Sequence, residues 1–208
     1  MISNIRTDYK KEGFTRENLV ENPIELFREW FKAALENERY DPNAMSLATV
    51  NNLGYPSCRI VLLKEISEMG FTFFTNYESR KGQEMEANNR VAATFFWPEM
   101  ERQVRIRGYV EKISEELSDS YFSSRPIDSQ ISAIVSSQSK PIEDLSPLRE
   151  HAIRIKEENQ PIKRPENWGG YIIFPSKIEF WQGGANRLHT RFEYRLEDNN
   201  WKIKQLAP

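Results

Sequence analysis

Apolar positions first recur at helical spacing. After Asn22-Pro23-Ile24-Glu25, which offers an N-cap, a proline at the first helical position and a carboxylate at the third, Leu26, Phe27, Trp30, Phe31 and Ala34 share one face of a 3.6-residue repeat. The spacing predicts an amphipathic helix whose aromatics enter a core. From Ala44 the period shortens. Residues 45–50 and 57–64 flank Asn51-Asn52-Leu53-Gly54 and read as a hairpin, with further strands at 71–75, 91–97 and 103–113. Residues 79–88 interrupt them as a short helix. Ser114 offers a cap for a helix to about Phe122, Pro126 starts another segment, and 144–158 reads as a third helix. Strands return at 171–174, 177–181, 189–196 and 201–206. Closely spaced strands without long crossovers predict an antiparallel sheet that curls into a barrel, mainly β with flanking helices.

Residues 1–20 are polar and read as a mobile N-terminal arm, and 21–208 as one domain without internal repeats. At 208 residues with 38% hydrophobic content the chain can bury a full core. A formal charge of −2 argues against a nucleic-acid partner, so clustered cations are local features suited to a small anion. Cys58, the only cysteine, excludes an internal disulfide and a cysteine metal cluster and fits a reducing cytosol. No apolar leader or membrane-length stretch is present, so a soluble cytoplasmic protein is expected. Walker, Rossmann and metal-ligand spacings are absent, and no metal is expected.

The densest chemistry lies in Trp181-Gln182-Gly183-Gly184-Ala185-Asn186-Arg187-Leu188-His189-Thr190-Arg191. If its last five residues are extended, Arg187, His189 and Arg191 share one face, suited to an anionic ligand undergoing proton or hydride transfer; the competing reading is a solvated edge strand. Arg59-Ile60-Val61-Leu62-Leu63-Lys64 places four apolar residues between two cations, either a buried strand emerging at a ligand or plain strand ends. Ser79-Arg80-Lys81 opens a helix just after a strand, where free N–H groups and the positive dipole end reinforce phosphate binding. Gln103 alternates outward with Arg105 and Arg107. Tyr121, Arg125 and Ser129 follow at four-residue intervals and cluster if the helix continues, although Pro126 argues for a break. A Ser-His-Asp hydrolase built on His189 lacks a nucleophile elbow.

These blocks, with Thr75-Asn76, Glu101-Arg102-Gln103-Val104, Ser124-Arg125-Pro126, Asp128-Ser129-Gln130 and the terminal Trp201 to Pro208, resemble the pyridoxine/pyridoxamine 5′-phosphate oxidase family over nearly the whole chain. The resemblance implies a split β-barrel homodimer with FMN at the subunit interface. Arg59, Ile60, Val61, Leu62, Leu63, Lys64, Phe74, Thr75, Arg80 and Lys81 would meet each flavin from one subunit, and Gln103, Gln138, Ser139, Trp181 and Arg191 from the other. The substrate phosphate would contact Lys64, Tyr121, Arg125 and Ser129. Arg187 and His189 would flank the pyridine ring as catalytic residues beside Leu188, with Arg6 and Tyr9 reaching in from the arm. Phe74 stands where many relatives carry tyrosine. The implied reaction is hydride transfer from C4′ of pyridoxine or pyridoxamine 5′-phosphate to FMN, with dioxygen as final acceptor and hydrogen peroxide and, from the amine, ammonia as by-products. The alternatives are a related flavin oxidase of another aromatic substrate, such as a phenazine precursor, and a flavin or pyridoxal phosphate binding protein without turnover.

Overall fold

The computed structural model describes residues 1–4, 8–11, 13–158 and 160–208. Helix α1 (Pro23–Asn37) starts as its sequence predicts: the Ile24 N–H donates to Asn22 Oδ1 at 2.9 Å, and Pro23 occupies the first turn, where no N–H is needed. Its inner face buries Leu26, Phe27, Trp30 and Ala34. Phe27 makes edge contacts with Phe71 and Phe95 at 4.8 and 5.0 Å, so α1 closes over the aromatic core of the sheet. Deleting a ring buried this completely costs about 3–5 kcal/mol.

Among the described residues eight antiparallel strands carry the fold: β1 (Ala44–Val50), β2 (Pro56–Ile66), β3 (Phe71–Asn76), β4 (Arg90–Trp97), β5 (Arg102–Lys112), β6 (Trp168–Gln182), β7 (Thr190–Glu197) and β8 (Asn200–Gln205). Their order is β3-β2-β1-β4-β5-β6-β7-β8, and a second pairing of β3 with β6 closes the first six into a barrel. In the β1-β2 turn Asn51 Oδ1 accepts from the N–H groups of Leu53 and Tyr55, and Gly54 takes φ 84, which the missing Cβ permits. Closure depends on the length of β6. Residues 168–173 pair with β3, 177–182 with β7, and β5 runs along both parts. The strands expected separately at 171–174 and 177–181 are therefore one. Pro175 lies where the register with β5 shifts between Arg107 and Gly108, a bulge that tolerates a residue without an N–H.

Helix α2 (Arg80–Ala87) joins β3 to β4, and α3 (Glu115–Ser124), α4 (Ile127–Val135) and α5 (Ser146–Glu158) fill the long connection from β5 to β6. α3 lies against β6, and α4 against α5. Within the segment expected as an arm, Phe14 is buried with edge contacts to Trp30 and Phe192 at 5.0 and 5.1 Å. Tyr194 Oη donates to the Val20 carbonyl at 2.9 Å. Among the described residues no helix is long and apolar enough to cross a membrane.

Candidate functional site

Strands β2 and β3, the end of α3 and the start of α4 border a cleft of about 450 Å³. It is lined by Ile60, Val61, Leu62, Lys64, Phe74, Thr75, Lys81, Tyr121, Arg125, Pro126, Ser129, Gln138 and Trp168, with no carboxylate. The lysine at 64 reaches it through a bulge. Leu63 pairs with Phe73 and Glu65 with Thr72, so Lys64 is the extra residue of β2, and the irregularity re-aims its side chain. Leu63 itself points into the core, while Ile60 and Leu62 are 65% and 38% exposed on the outer face.

Arg59 does not line the cleft. Its guanidinium donates to the Leu47 carbonyl at 3.2 Å and to Thr49 Oγ1, and pairs with Glu84 at 3.3 Å. Burial pushes the Glu84 carboxyl up, but hydrogen bonds from Thr49, Ser57 and Arg59 hold it below its ordinary value. Arg59 thus stands behind the strand, its charge offset by a buried carboxylate.

The first turn of α2 supplies Lys81. Ser79 caps the helix, accepting from the Gly82 N–H, and no acidic residue occupies the first turn. Lys81 Nζ donates to Gln138 Oε1 at 2.6 Å, Thr75 Oγ1 at 3.0 Å and Ser79 Oγ at 3.2 Å, so Gln138, expected from the other subunit, lines the cleft of its own chain because the turn after α4 returns it to α2. Burial, and then the neighbouring Arg59 charge, lower its pKa from 10.5 to about 8. Arg80 is exposed and lies outside the cleft lining, as does Ser139, which takes φ 73.

An aromatic wall completes the cleft. Phe74 stacks on Tyr121 at 3.8 Å and 16°, and on Trp168 at 5.5 Å and 15°. A Cβ at Gly170 would collide with Ile113 and Phe74, so only glycine leaves room for this stack. Arg125 follows the last turn of α3 and sits 4.6 Å from the Trp168 ring centroid. Its Nη1 is buried without a hydrogen-bond partner among the described residues, and burial lowers the guanidinium pKa against the pull of Tyr121. The break at Pro126 is present, yet the turn into α4 keeps Tyr121, Arg125 and Ser129 at one cleft. Lys64, Lys81 and Arg125 thus converge on a space without carboxylates, and one of them has a buried N–H unspent. Such a donor set fits phosphate oxygens.

The C-terminal segment departs from its expected form. Ala185–Arg187 is a 3₁₀ turn, with Asn186 at φ 54 and Arg187 at φ 63, and β7 begins only at Thr190. The extended alternation that would align Arg187, His189 and Arg191 therefore does not form. The reason is local: Asn186, a residue type that tolerates the left-handed region, turns the chain, and Gly184, itself extended at φ −136, admits the returning Leu188 carbonyl into the space where a Cβ would stand. The Gly184 N–H donates to His189 Nδ1 at 3.1 Å, and the imidazole packs 4.7 Å from Trp181 and 5.6 Å from Tyr9. Arg187 and Leu188 are exposed. Arg191 is held by Glu179 through Nε at 3.0 Å and Nη2 at 2.8 Å, and its Nη1 donates to the Ala207 carbonyl at 2.9 Å. Gln103 lies opposite Trp181, which lies opposite Arg191, so strand register groups these three on β5, β6 and β7. None of them lines the cleft. Arg6 lies outside the described residues.

Sequence reasoning missed Trp168, Glu84 and Glu179. Trp168 precedes Gly169-Gly170 at a strand start, a signal of close packing. Glu84 falls four residues after Arg80 and looks like a surface helix pair, whereas its true partner is on β2. Glu179 alternates with buried apolar residues on β6, and a lone carboxylate in such a run implies a cationic partner.

Residues 29–159 match the model of the pyridoxamine 5′-phosphate oxidase family, and residues 168–208 that of the pyridoxine 5′-phosphate oxidase C-terminal dimerisation region. The pyridoxine/pyridoxamine 5′-phosphate oxidases of Legionella pneumophila (strain Lens) and Nostoc punctiforme are 49% and 50% identical, each over 100% of this chain and 97% and 98% of the relative. Among solved structures, PhzG from Burkholderia lata 383, in complex with tetrahydrophenazine-1-carboxylic acid, is similar at a TM-score of 0.91 and 28% identity, covering 97% of this chain and all of that one. With matches that together span both parts of the barrel, the chain belongs to the pyridoxamine 5′-phosphate oxidase family, with its split-barrel fold.

Proposed function

We propose that the protein is an FMN-dependent oxidase that converts pyridoxine 5′-phosphate or pyridoxamine 5′-phosphate to pyridoxal 5′-phosphate, acting as a homodimer. The carrying observation is the buried Nη1 of Arg125, without a hydrogen-bond partner among the described residues, in a cleft that is lined by Lys64 and Ser129 and by no carboxylate, a donor set suited to a phosphate. The names of full-length relatives at 49% and 50% identity support the substrate. Lys81, uncompensated by any carboxylate in the lining and placed at the positive end of α2, supports a second phosphate, that of FMN.

Two observations support the dimer. Residues 168–208 match a dimerisation region, and the site residues fall into two groups that one chain does not bring together. A second copy placing its Gln103, Trp181, Arg187, His189 and Arg191 at the cleft would complete the site and cover the exposed Ile60 and Leu62.

FMN, when bound, supplies two-electron acceptance from the C4′ carbon of the substrate and return of those electrons to dioxygen as hydrogen peroxide. The chain's residues bind, orient and hold protons. Lys81, Thr75 and Gln138, joined by Arg80 and Ser139 from outside the lining, would hold the flavin phosphate. Lys64, Tyr121, Arg125 and Ser129 would fix the substrate phosphate, with the Trp168 face keeping the guanidinium in one plane. Because His189 Nδ1 accepts from the Gly184 N–H, the neutral ring carries its proton on Nε2 and offers a donor to the substrate. Arg187, exposed on its left-handed turn, is free to stabilise charge developing on the pyridine ring.

Anaerobic addition of one equivalent of pyridoxamine 5′-phosphate should bleach the yellow holoprotein with formation of one equivalent each of pyridoxal 5′-phosphate and ammonia, and air should restore the colour with one equivalent of peroxide. A flavin that neither phosphate ester bleaches would overturn the reading. Oxidation of a phosphate-free aromatic substrate draws support from the likeness to PhzG. It leaves Arg125 without a use, and predicts turnover of such a substrate that is indifferent to Arg125→Met.

A further inference from the structure

The geometry points to Glu101 as a positioning residue that latches the N-terminal segment at Tyr9–Lys11 against His189 and Trp181. The inference rests on the reading of those two residues as part of the site. Glu101 lies in the turn between β4 and β5 at φ 56, a left-handed conformation that a non-glycine residue keeps only where its surroundings hold it. Its carboxylate accepts from the Lys10 N–H at 2.9 and 3.1 Å and from the Lys11 N–H at 2.9 Å. Two successive backbone donors on one anion form a charge-assisted clamp that does not depend on the side chains at those positions. On its other side the Glu101 carbonyl accepts from the Gly183 N–H at 2.7 Å and from Gln182 Nε2 at 3.1 Å. One residue therefore grips both the arm and the entry to the turn that carries Arg187 and His189.

What the clamp delivers is Tyr9. Its ring meets Trp181 edge-on at 5.5 Å and His189 at 5.6 Å. It also lies over Gly183, where a Cβ would come within 2.6 Å of the ring, so this glycine is the seat for the tyrosine. The imidazole is then bounded by the Gly184 N–H at Nδ1, by Trp181 on one side and by Tyr9 on another, which fixes the direction of Nε2. Glu101 acts on the reaction only through this contact.

The variant Glu101→Gly tests the latch, since glycine adopts φ 56 freely and keeps the backbone carbonyl bonds. In the holoenzyme, tryptic cleavage after Lys10 or Lys11, followed by intact mass, should accelerate on the order of tenfold, because cleavage requires release of the clamped backbone. Flavin content and melting temperature should stay at the parental values while kcat/KM for pyridoxine 5′-phosphate falls roughly tenfold. Tyr9→Ala should lower kcat/KM by a similar factor, and the double variant should lose no more than either single one, since both remove the same contact. Lys10→Gln with Lys11→Gln should leave kcat/KM within about twofold, because the clamp uses main-chain donors. An unchanged cleavage rate in Glu101→Gly, or losses that multiply in the double variant, would overturn the latch. A parental protein without oxidase activity would sink the functional reading, while the cleavage rates would still decide the latch.

Discussion

Two faces of this molecule are rich in cations, and they differ in how those charges are balanced. On the outer face of β5, β6 and β7, register sets Arg105 opposite Glu179 and Glu179 opposite Glu193. Glu179 accepts from Arg105 at 3.2 Å and from Arg191 at 2.8 Å, and Glu193 pairs with Arg195 at 3.1 Å and with Lys177. Burial works to raise the Glu193 carboxyl, but those two cations hold it below its ordinary range. In the cleft, by contrast, Lys64, Lys81 and Arg125 meet hydroxyls, an amide and aromatic faces, and no carboxylate. The same residue types therefore do opposite things. A buried charge must find its counter-charge, so the ladder is balanced within the chain, which also fixes Arg191 in the place from which it would meet the cleft of a second copy, whereas the unbalanced cluster calls for a ligand to supply the anion. The count of arginines does not separate the two; their pairing does.

The largest expected effect falls on Arg187, which is exposed and, among the described residues, has no ion-pair partner. Arg187→Leu should slow anaerobic flavin reduction on the order of 10²-fold at saturating pyridoxine 5′-phosphate while colour and dimer persist. Parental reduction in single-turnover mixing would remove Arg187 from the chemistry and leave the cleft as the whole cationic site. Next comes the ladder. Glu179→Ala strips two arginines of their shared carboxylate and should lower stability in urea by about 3 kcal/mol. If stability is unchanged, the claim that this face is held by paired charge fails.

Both faces were partly legible in the sequence, and the boundary between read and unread is physical. Caps were legible because they are local: Asn22 and Ser114 each accept the hydrogen bond that their positions foretold. The strand carrying Arg59 to Lys64 was legible from its apolar run between two cations after a turn, but not that Lys64 is bulged or that Arg59 turns inward to Glu84. Those facts depend on β3 and α2, whose pairing leaves no mark in β2 itself. Residues 187–191 do not take the expected extended form because Asn186 and Arg187 turn left-handed and Gly184 admits the returning Leu188 carbonyl, a close approach that strand alternation does not reveal. Division of the site between two groups of residues was expected from the family resemblance, but with Gln138 beside Gln103, Trp181 and Arg191, whereas it lines the cleft with Lys81. Periodicity alone could not have given it, since the grouping of Gln103, Trp181 and Arg191 arises from register across three strands.

Arg125 gives the converse of the ladder experiment. Since its Nη1 makes no bond within the described residues, Arg125→Met should leave urea stability within about 0.5 kcal/mol, or raise it slightly, by removing a desolvated charge. The KM for pyridoxine 5′-phosphate should rise about 30-fold through loss of a charge-assisted contact, with a smaller penalty for unphosphorylated pyridoxine. Steady-state kinetics with both substrates, beside one denaturation curve, check this. A stability loss as large as that of Glu179→Ala would make Arg125 structural and erase the distinction between the faces.

The smallest effect concerns the sign of a pH dependence. Lys81 has its pKa lowered to about 8, so it is cationic below that pH and neutral above it. The second ionisation of a phosphate monoester lies near 6, so between pH 7 and 9 the ligand's charge hardly changes while that of Lys81 does. FMN affinity of the apoprotein should therefore fall as pH rises through 8, with proton uptake on binding above it, by about tenfold at most between pH 7 and 9. Lys81→Arg keeps its charge throughout this range and should flatten the profile. Fluorescence titration of the apoprotein with FMN across the range decides it. A parental profile as flat as that of the arginine variant would mean that the unbalanced charge of the cleft is set by Lys64 and Arg125 alone, and that Lys81 serves through its hydrogen bonds to Thr75, Ser79 and Gln138.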